Sequence, residues 1–306
     1  MPEGSQESLV MDDFFAKLGE EIVDVDQETF DLFSQSPSSQ DLGMVDAAAT
    51  SLELSVAGRD FEIAQSPGLL QSSRGGGTTG AAVWRSSVRI AEWLAWDCNA
   101  LFTTKALHFE STILELGSGI SGLLPCILNS KVSKVIATDQ AYVLKALRDN
   151  IAMNVTNSST SQKRKSSRTS DGNVKHAVKI HTLALDWEND DVTSVLSENN
   201  LKGGVDAVLA CDCVYNYALI EPLVQTCADI CSLRSYSDEE PARSEKQTIC
   251  VVAQQLRQPD VFEQWLQTFY RSFRVWRMPE ELLSADLKAG SGFVVHIGIL
   301  RLEVRR

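Results

Sequence analysis

Histidine is scarce in this sequence and cysteine has no framework: four histidines and seven cysteines are spread over 306 residues. No two of Cys98, Cys126, Cys211, Cys213, Cys227, Cys231 and Cys250 have zinc-finger spacing, and an odd count argues for reduced, mostly buried thiols rather than a disulfide scaffold. Cys227 and Cys231 share a helical face, where core packing is the simpler account, so no metal is expected. No stretch approaches the roughly 20 apolar residues that span a bilayer. The N-terminus also lacks the basic-then-apolar pattern of a signal peptide. The expectation is a soluble cytoplasmic protein with no membrane partner. A basic surplus is missing too. The net charge is −13, and residues 1–50 hold 12 acids and one lysine, which leaves 29 acids against 27 basic residues beyond them. A nearly neutral body lacks the broad positive surface that nucleic-acid binding requires.

What is present begins with ILELGSGISG at residues 113–122, an apolar run that carries an acid and ends in a glycine-rich turn before an apolar helix. Glycines turn tightly and let a ligand approach the backbone. Gly117, Gly119 and Gly122, with Asp139 closing the next apolar run, fit a nucleotide-type fingerprint in which the later acid suits ribose hydroxyls. The glycines alone do not separate NAD from S-adenosylmethionine. Glu115 tilts the choice, because a carboxylate beside the turn repels a pyrophosphate and attracts the ammonium and sulfonium of S-adenosylmethionine. An ordinary strand-to-helix turn is the bland alternative.

Along the chain, residues 11–18 read as a short amphipathic helix in an acidic arm, whose simplest reading is a solvated extension. Alternation from Ser51, with a turn at Ala57 and Gly58, predicts a β-hairpin. A glycine-rich loop at 71–80 precedes a helix at 83–96. Strands are predicted at 111–116, 134–139, 178–183, 205–210 and 248–253, with helices at 122–128, 142–153 and 219–233 between them. That alternation implies a parallel sheet covered on both faces. A helix at 262–270 and strands at 273–276 and 292–302 then suggest a closing antiparallel pair, the ending of class I methyltransferases rather than of dinucleotide dehydrogenases. Two polar stretches, 155–176 and 234–246, have the composition of disordered insertions. The KRK run at 163–165 leaves the nucleus open beside the cytoplasm. The predicted divisions are an extension at 1–50, a hairpin and loop at 51–80, and a catalytic domain at 81–306.

Two further motifs become readable once the turn is placed: LDW at 185–187 after the third strand and DCVY at 212–215 after the fourth. With AAVWRSS at 81–87, they make the chain from about Ser51 onward resemble the family 16 seven-β-strand protein methyltransferases. The resemblance implies an α/β fold of the class I, Rossmann-like kind, with a mostly parallel seven-stranded sheet ending in an antiparallel hairpin. It implies S-adenosyl-L-methionine as cofactor. Trp84 would border its methionine end, Gly117, Ser118 and Gly119 would form the cradle beside Glu115, and Asp139 would bind ribose. Trp187 would lie against adenine, Asp186 would reach its amino group, and Cys211 would line the site; for the two tryptophans, core packing is the alternative. Asp212 and Tyr215 match the DxxY element that faces methyl donor and substrate amine in such enzymes.

The chemistry agrees with that assignment. A lysine with a pKa of about 10.4 must lose its proton before its nitrogen attacks, which costs about 4.6 kcal/mol at pH 7. A carboxylate can orient the incoming ammonium, and an aromatic wall then desolvates it. In-line methyl displacement needs position and dryness rather than a nucleophile triad. The acidic opening at 13–33, QSPGLL at 65–70 and GGGTTGAAVW at 75–84 look like the fungal ribosomal lysine methyltransferases, which implies a large-subunit ribosomal protein as partner. An elongation factor or chaperone is the alternative within the family. An NAD-dependent oxidoreductase and a non-catalytic scaffold are the alternatives of another class.

Overall fold

The computed structural model of the chain describes residues 3–35, 41–70, 79–161, 179–235 and 247–301. The N-terminal arm holds two helices, α1 (Glu3–Leu18) and α2 (Val25–Gln35). A hairpin of β1 (Ser51–Val56) and β2 (Arg59–Ala64) follows, then three helices, α3 (Pro67–Leu70), α4 (Arg85–Ala95) and α5 (Ala100–Thr103). Strand and helix then alternate through β3 (Thr112–Leu116), α6 (Leu123–Leu128), β4 (Lys134–Asp139), α7 (Leu144–Ser161), β5 (Ile180–Ala184), α8 (Val192–Glu198), β6 (Ala207–Cys211), α9 (Tyr217–Ser235) and β7 (Ile249–Gln255). The chain closes with α10 (Pro259–Ser272), β8 (Phe273–Arg277) and β9 (Phe293–Leu300).

The main sheet has the order β5-β4-β3-β6-β7-β9-β8. The first five of these pair in parallel, whereas β9 runs antiparallel to both β7 and β8. Central strands such as AVLAC and ICVVAQQ are buried along their whole length, as a parallel sheet with both faces covered demands. One face packs against α4, α6 and α7 with the hairpin, and the other against α8, α9 and α10. This is the class I methyltransferase arrangement expected from the sequence.

The hairpin is fastened by two asparagines one turn apart on α7. Asn154 Oδ1 accepts from Glu62 N at 3.0 Å, Asn150 Oδ1 accepts from Ala64 N at 2.9 Å, and Asn150 Nδ2 also donates to Ile120 O beside the glycine turn at 2.7 Å. Buried side-chain amides thus satisfy edge backbone groups that water would otherwise hold.

Several expectations need correction. The first helix starts at Glu3 rather than near residue 11, and besides the single turns α3 and α5 there are two longer additional helices, α2 and α8. Both are polar; α8 is recognisable only by its cap, where Asp191 Oδ1 accepts from Ser194 N at 2.8 Å. The polar insertions begin later than their composition suggests, since α7 continues to Ser161 and α9 to Ser235. Their remainders, the KRK run included, and all of the glycine-rich loop except Thr79 and Gly80 lie outside the described residues.

The arm is not a solvated extension. Phe14 and Leu18 are buried, and Phe15 stacks on Trp276 with ring centroids 5.0 Å apart. Ile22 N donates to Val275 O at 2.7 Å, and Glu21 pairs with Arg274 and Arg301. Acidic composition suggested water, but these acids meet basic residues of β8 and of the segment after β9.

Candidate functional site

The switch point of the sheet lies between β3 and β6, where the strand order reverses and a crevice opens at the carboxyl ends. A cavity of about 520 Å³ occupies this place, within the range of small-molecule sites. Its wall includes Trp84, Gly117, Ser118, Gly119, Asp139, Asp186, Trp187, Cys211, Asp212 and Tyr215. Ten of the eleven candidate residues therefore meet in one cavity, although five separate segments supply them.

Gly117, Gly119 and Gly122 all have left-handed backbones, with φ of 64°, 59° and 61°. A Cβ at Gly117 would stand 2.8 Å from Cys213 Sγ and 3.2 Å from Trp187 Cζ2; one at Gly119 would stand 3.3 Å from Gly80 O. The turn is thus a bare-backbone cradle, roofed by the segment before α4, where Gly80 O accepts from Ile120 N at 2.9 Å. Asp139 holds the turn from the side: Oδ2 accepts from Gly119 N at 2.8 Å and Oδ1 from Gln140 N at 2.7 Å. Burial pushes its carboxyl up to about 6, against the pull of those two amides.

Glu115 is the eleventh candidate, and it lies behind the turn rather than on the cavity wall. Only 3% of it is exposed, and Oε2 accepts from Ser118 Oγ at 2.7 Å. Burial raises it to about 7, the Ser118 bond opposes this, and the charge of Asp139 adds to it. Of this bonded pair, Ser118 is the one that lines the cavity.

On the opposite wall, Asp186 Oδ1 accepts from Glu188 N at 3.0 Å, and Trp187 presents an indole Nε1 that is buried without a hydrogen-bond partner. A buried unpaired donor on a ligand-sized cavity marks a place where an acceptor belongs. The glycine cradle, the acid at the end of β4 and this orphaned indole fit an adenosine-bearing cofactor.

Asp212 sits in a left-handed conformation, φ 59°, immediately after β6. Its side chain is 3% exposed. Arg257 grips it with both arms, Nη1 to Oδ1 at 2.7 Å and Nη2 to Oδ2 at 2.6 Å, while Ser86 Oγ donates to Oδ2 at 2.8 Å. Tyr215 is 40% exposed at the mouth, where its hydroxyl accepts from Thr79 Oγ1 at 3.2 Å. Trp84 donates from Nε1 to Thr79 O at 3.0 Å and carries the Arg257 guanidinium 5.6 Å from its ring centre.

Sequence reasoning missed the buried Ser86, and it missed Arg257 and the arm residues Leu42, Met44 and Ala47, which line the cavity. The arm reaches it because Met44 bridges to Trp84 and Gly43 O accepts from Arg85 N at 2.8 Å. Ser86 could have been flagged from the AAVWRSS segment; nothing in the sequence pairs Arg257 with Asp212. Among the described residues, no helix is long and apolar enough to cross a membrane, and no group of three or more His, Cys, Asp or Glu side chains could hold a metal.

Residues 64–237, more than half of the chain, match the family model described as lysine methyltransferase. Ribosomal lysine N-methyltransferase 5 of Zygosaccharomyces rouxii is 30% identical over 230 residues, covering 68% of this chain and 70% of that protein. Its namesake in Lachancea thermotolerans is 27% identical over 288 residues, covering 77% and 84%. A Schizosaccharomyces pombe protein named diaminohydroxyphosphoribosylamino-pyrimidine deaminase is 31% identical over 255 residues, covering 82% of this chain and 52% of its own length, so this chain spans about half of that relative. By this family match over more than half of its length, the chain belongs to the lysine methyltransferase family.

Proposed function

We propose that this protein is an S-adenosylmethionine-dependent protein-lysine N-methyltransferase whose substrate is a large-subunit ribosomal protein. The observation that carries the activity is the shared cavity, in which the glycine cradle and Asp139 face the same space as Asp212 and Tyr215. The named relatives support the ribosomal substrate.

In this reading Asp139 holds the ribose hydroxyls, Trp187 and Asp186 hold the adenine, and Gly117, Ser118 and Gly119 with Trp84 enclose the amino-acid end. The bound cofactor supplies a methyl group on a cationic sulfur. Everything else falls to the chain. Asp212 and Tyr215 orient the acceptor amine, and Trp84 with Tyr215 keeps water from it, which favours the neutral nitrogen that attacks. Glu115 and Asp139 place negative charge near a cationic ligand.

The test is incubation of purified protein with methyl-labelled cofactor and, separately, large-subunit ribosomal proteins, elongation factors and chaperones, with the labelled band identified by mass. Label on a large-subunit protein, lost with Asp212→Asn, is the expected result. Label confined to an elongation factor or chaperone would reassign the substrate. Tight binding of NAD with none of S-adenosylmethionine would sink the methyltransferase reading.

A further inference from the structure

We propose that Arg257 is a resident cation that occupies the acceptor-amine site and must be displaced by the incoming ammonium, so that it sets how strongly a cationic side chain is held. This rests on the methyltransferase reading above.

An ionised carboxylate has about four lone-pair positions. All four of those on Asp212 are in use: Oδ1 accepts from Arg257 Nη1 at 2.7 Å and Gln255 N at 3.4 Å, and Oδ2 from Arg257 Nη2 at 2.6 Å and Ser86 Oγ at 2.8 Å. No second cation can reach Asp212 directly until one of these donors leaves. The backbone amide is fixed in β7 and Ser86 is fully buried in α4, so both stay beside the carboxylate. Arg257 is different. It lies in the short segment between β7 and α10, where no sheet ladder fixes it, and its side chain is 15% exposed against 3% for Asp212. Both residues line the cavity, and the arginine side chain is the more exposed of the two.

Beyond its two short bonds and the Trp84 ring 5.6 Å away, Arg257 is incompletely satisfied. Its Nε is buried with no hydrogen-bond partner. A buried guanidinium with an unpaired N–H carries a desolvation penalty that leaving the site would relieve. Nη2 has one further partner, Gln255 Oε1 at 3.1 Å. Against it rests Gly43 of the arm, where a Cβ would stand 2.7 Å from Arg257 Nη2. When Arg257 swings out, Ser86 and the Gln255 amide still define the carboxylate, and an ammonium with three donors can take the two positions released.

The probe is n-butylammonium chloride, titrated calorimetrically with and without saturating S-adenosylhomocysteine. Loss of the competing bidentate guanidinium in Arg257→Leu is expected to tighten butylammonium binding about tenfold over wild type. Arg257→Lys, which keeps the charge but not the fork, gives an intermediate value and serves if the leucine variant does not fold. The double variant Asp212→Asn/Arg257→Leu loses the gain. Equal binding by wild type, Arg257→Leu and Arg257→Lys overturns the proposal, as does retention of the gain in the double variant. Affinity for S-adenosylhomocysteine itself is read separately: a wild type that does not bind it defeats the methyltransferase reading, while the ammonium titration still decides the role of Arg257.

Discussion

Glu28 Oε1 lies 3.1 Å from His296 Nε2, joining an acid of the N-terminal arm to a fully buried histidine of β9. The second oxygen of Glu28 faces Arg277 at 3.4 Å. Burial pushes the Glu28 carboxyl up, but the His296 hydrogen bond and the charges of His296 and Arg277 outweigh it, and the net shift is downward from 4.5. A depressed carboxyl contributes stability that is present above its ordinary value and is lost as pH falls through the lower folded value. Glu28→Ala is therefore expected to cost about 1–3 kcal/mol at pH 7, because it strands a buried partner. The loss should shrink towards pH 3, and limited proteolysis should cut first within the released arm.

The cradle tests the cofactor site. Gly117→Ala combines a left-handed backbone with a 2.8 Å approach to Cys213 Sγ. It should weaken S-adenosylmethionine binding at least tenfold and destabilise by about 1–2 kcal/mol from backbone strain alone. Gly58→Ala, also left-handed but facing open space, is the control. It should show the strain without the binding defect in calorimetry.

Cofactor affinity should rise with pH. Glu115 is held near 7 and Asp139 near 6, both chiefly by burial. A raised carboxyl favours the folded state while protonated, so this contribution is full below the ordinary values of 3.8 and 4.5 and declines as pH rises through 6 to 7. A cationic ligand favours the ionised forms, so binding at pH 6 should release protons, detectable as a dependence of the binding enthalpy on the buffer. Ser118→Ala removes a bond that lowers Glu115 and should move the rise in affinity to higher pH. Binding that is independent of pH from 5.5 to 8 would remove Glu115 and Asp139 from that role.

Tyr215→Phe deletes a hydroxyl at the cavity mouth while leaving the ring. Since Tyr215 is 40% exposed, stability should change by less than about 0.5 kcal/mol. Methylation should fall by about 10- to 100-fold through loss of amine positioning, with cofactor affinity unchanged. Parallel measurement of kcat/KM and cofactor Kd separates the two effects.

Much of the sheet was legible because parallel strands buried on both faces appear as compact apolar runs: the limits of β4 were predicted as observed, and those of β3 within one residue. Helices α2 and α8 were not legible, because their apolar positions are sparse and their ends carry acids that look like solvated surface. At the site, Gly117, Asp139 and Trp187 stood out because each belongs to a local pattern at a strand end. Arg257 did not, because its meaning comes from a carboxylate 45 residues earlier in the chain.

The sequence by itself determined the strand-turn-helix units and the glycine turn between β3 and α6, since these depend on neighbours only a few residues apart. Only the tertiary structure decided that Glu115 lies behind Ser118, that the acidic arm lies against the closing strands and reaches the cavity, and that Asp212 is already held by Arg257. Each of those outcomes depends on which charges burial brings within hydrogen-bonding distance, and burial is a property of the packed chain rather than of any segment.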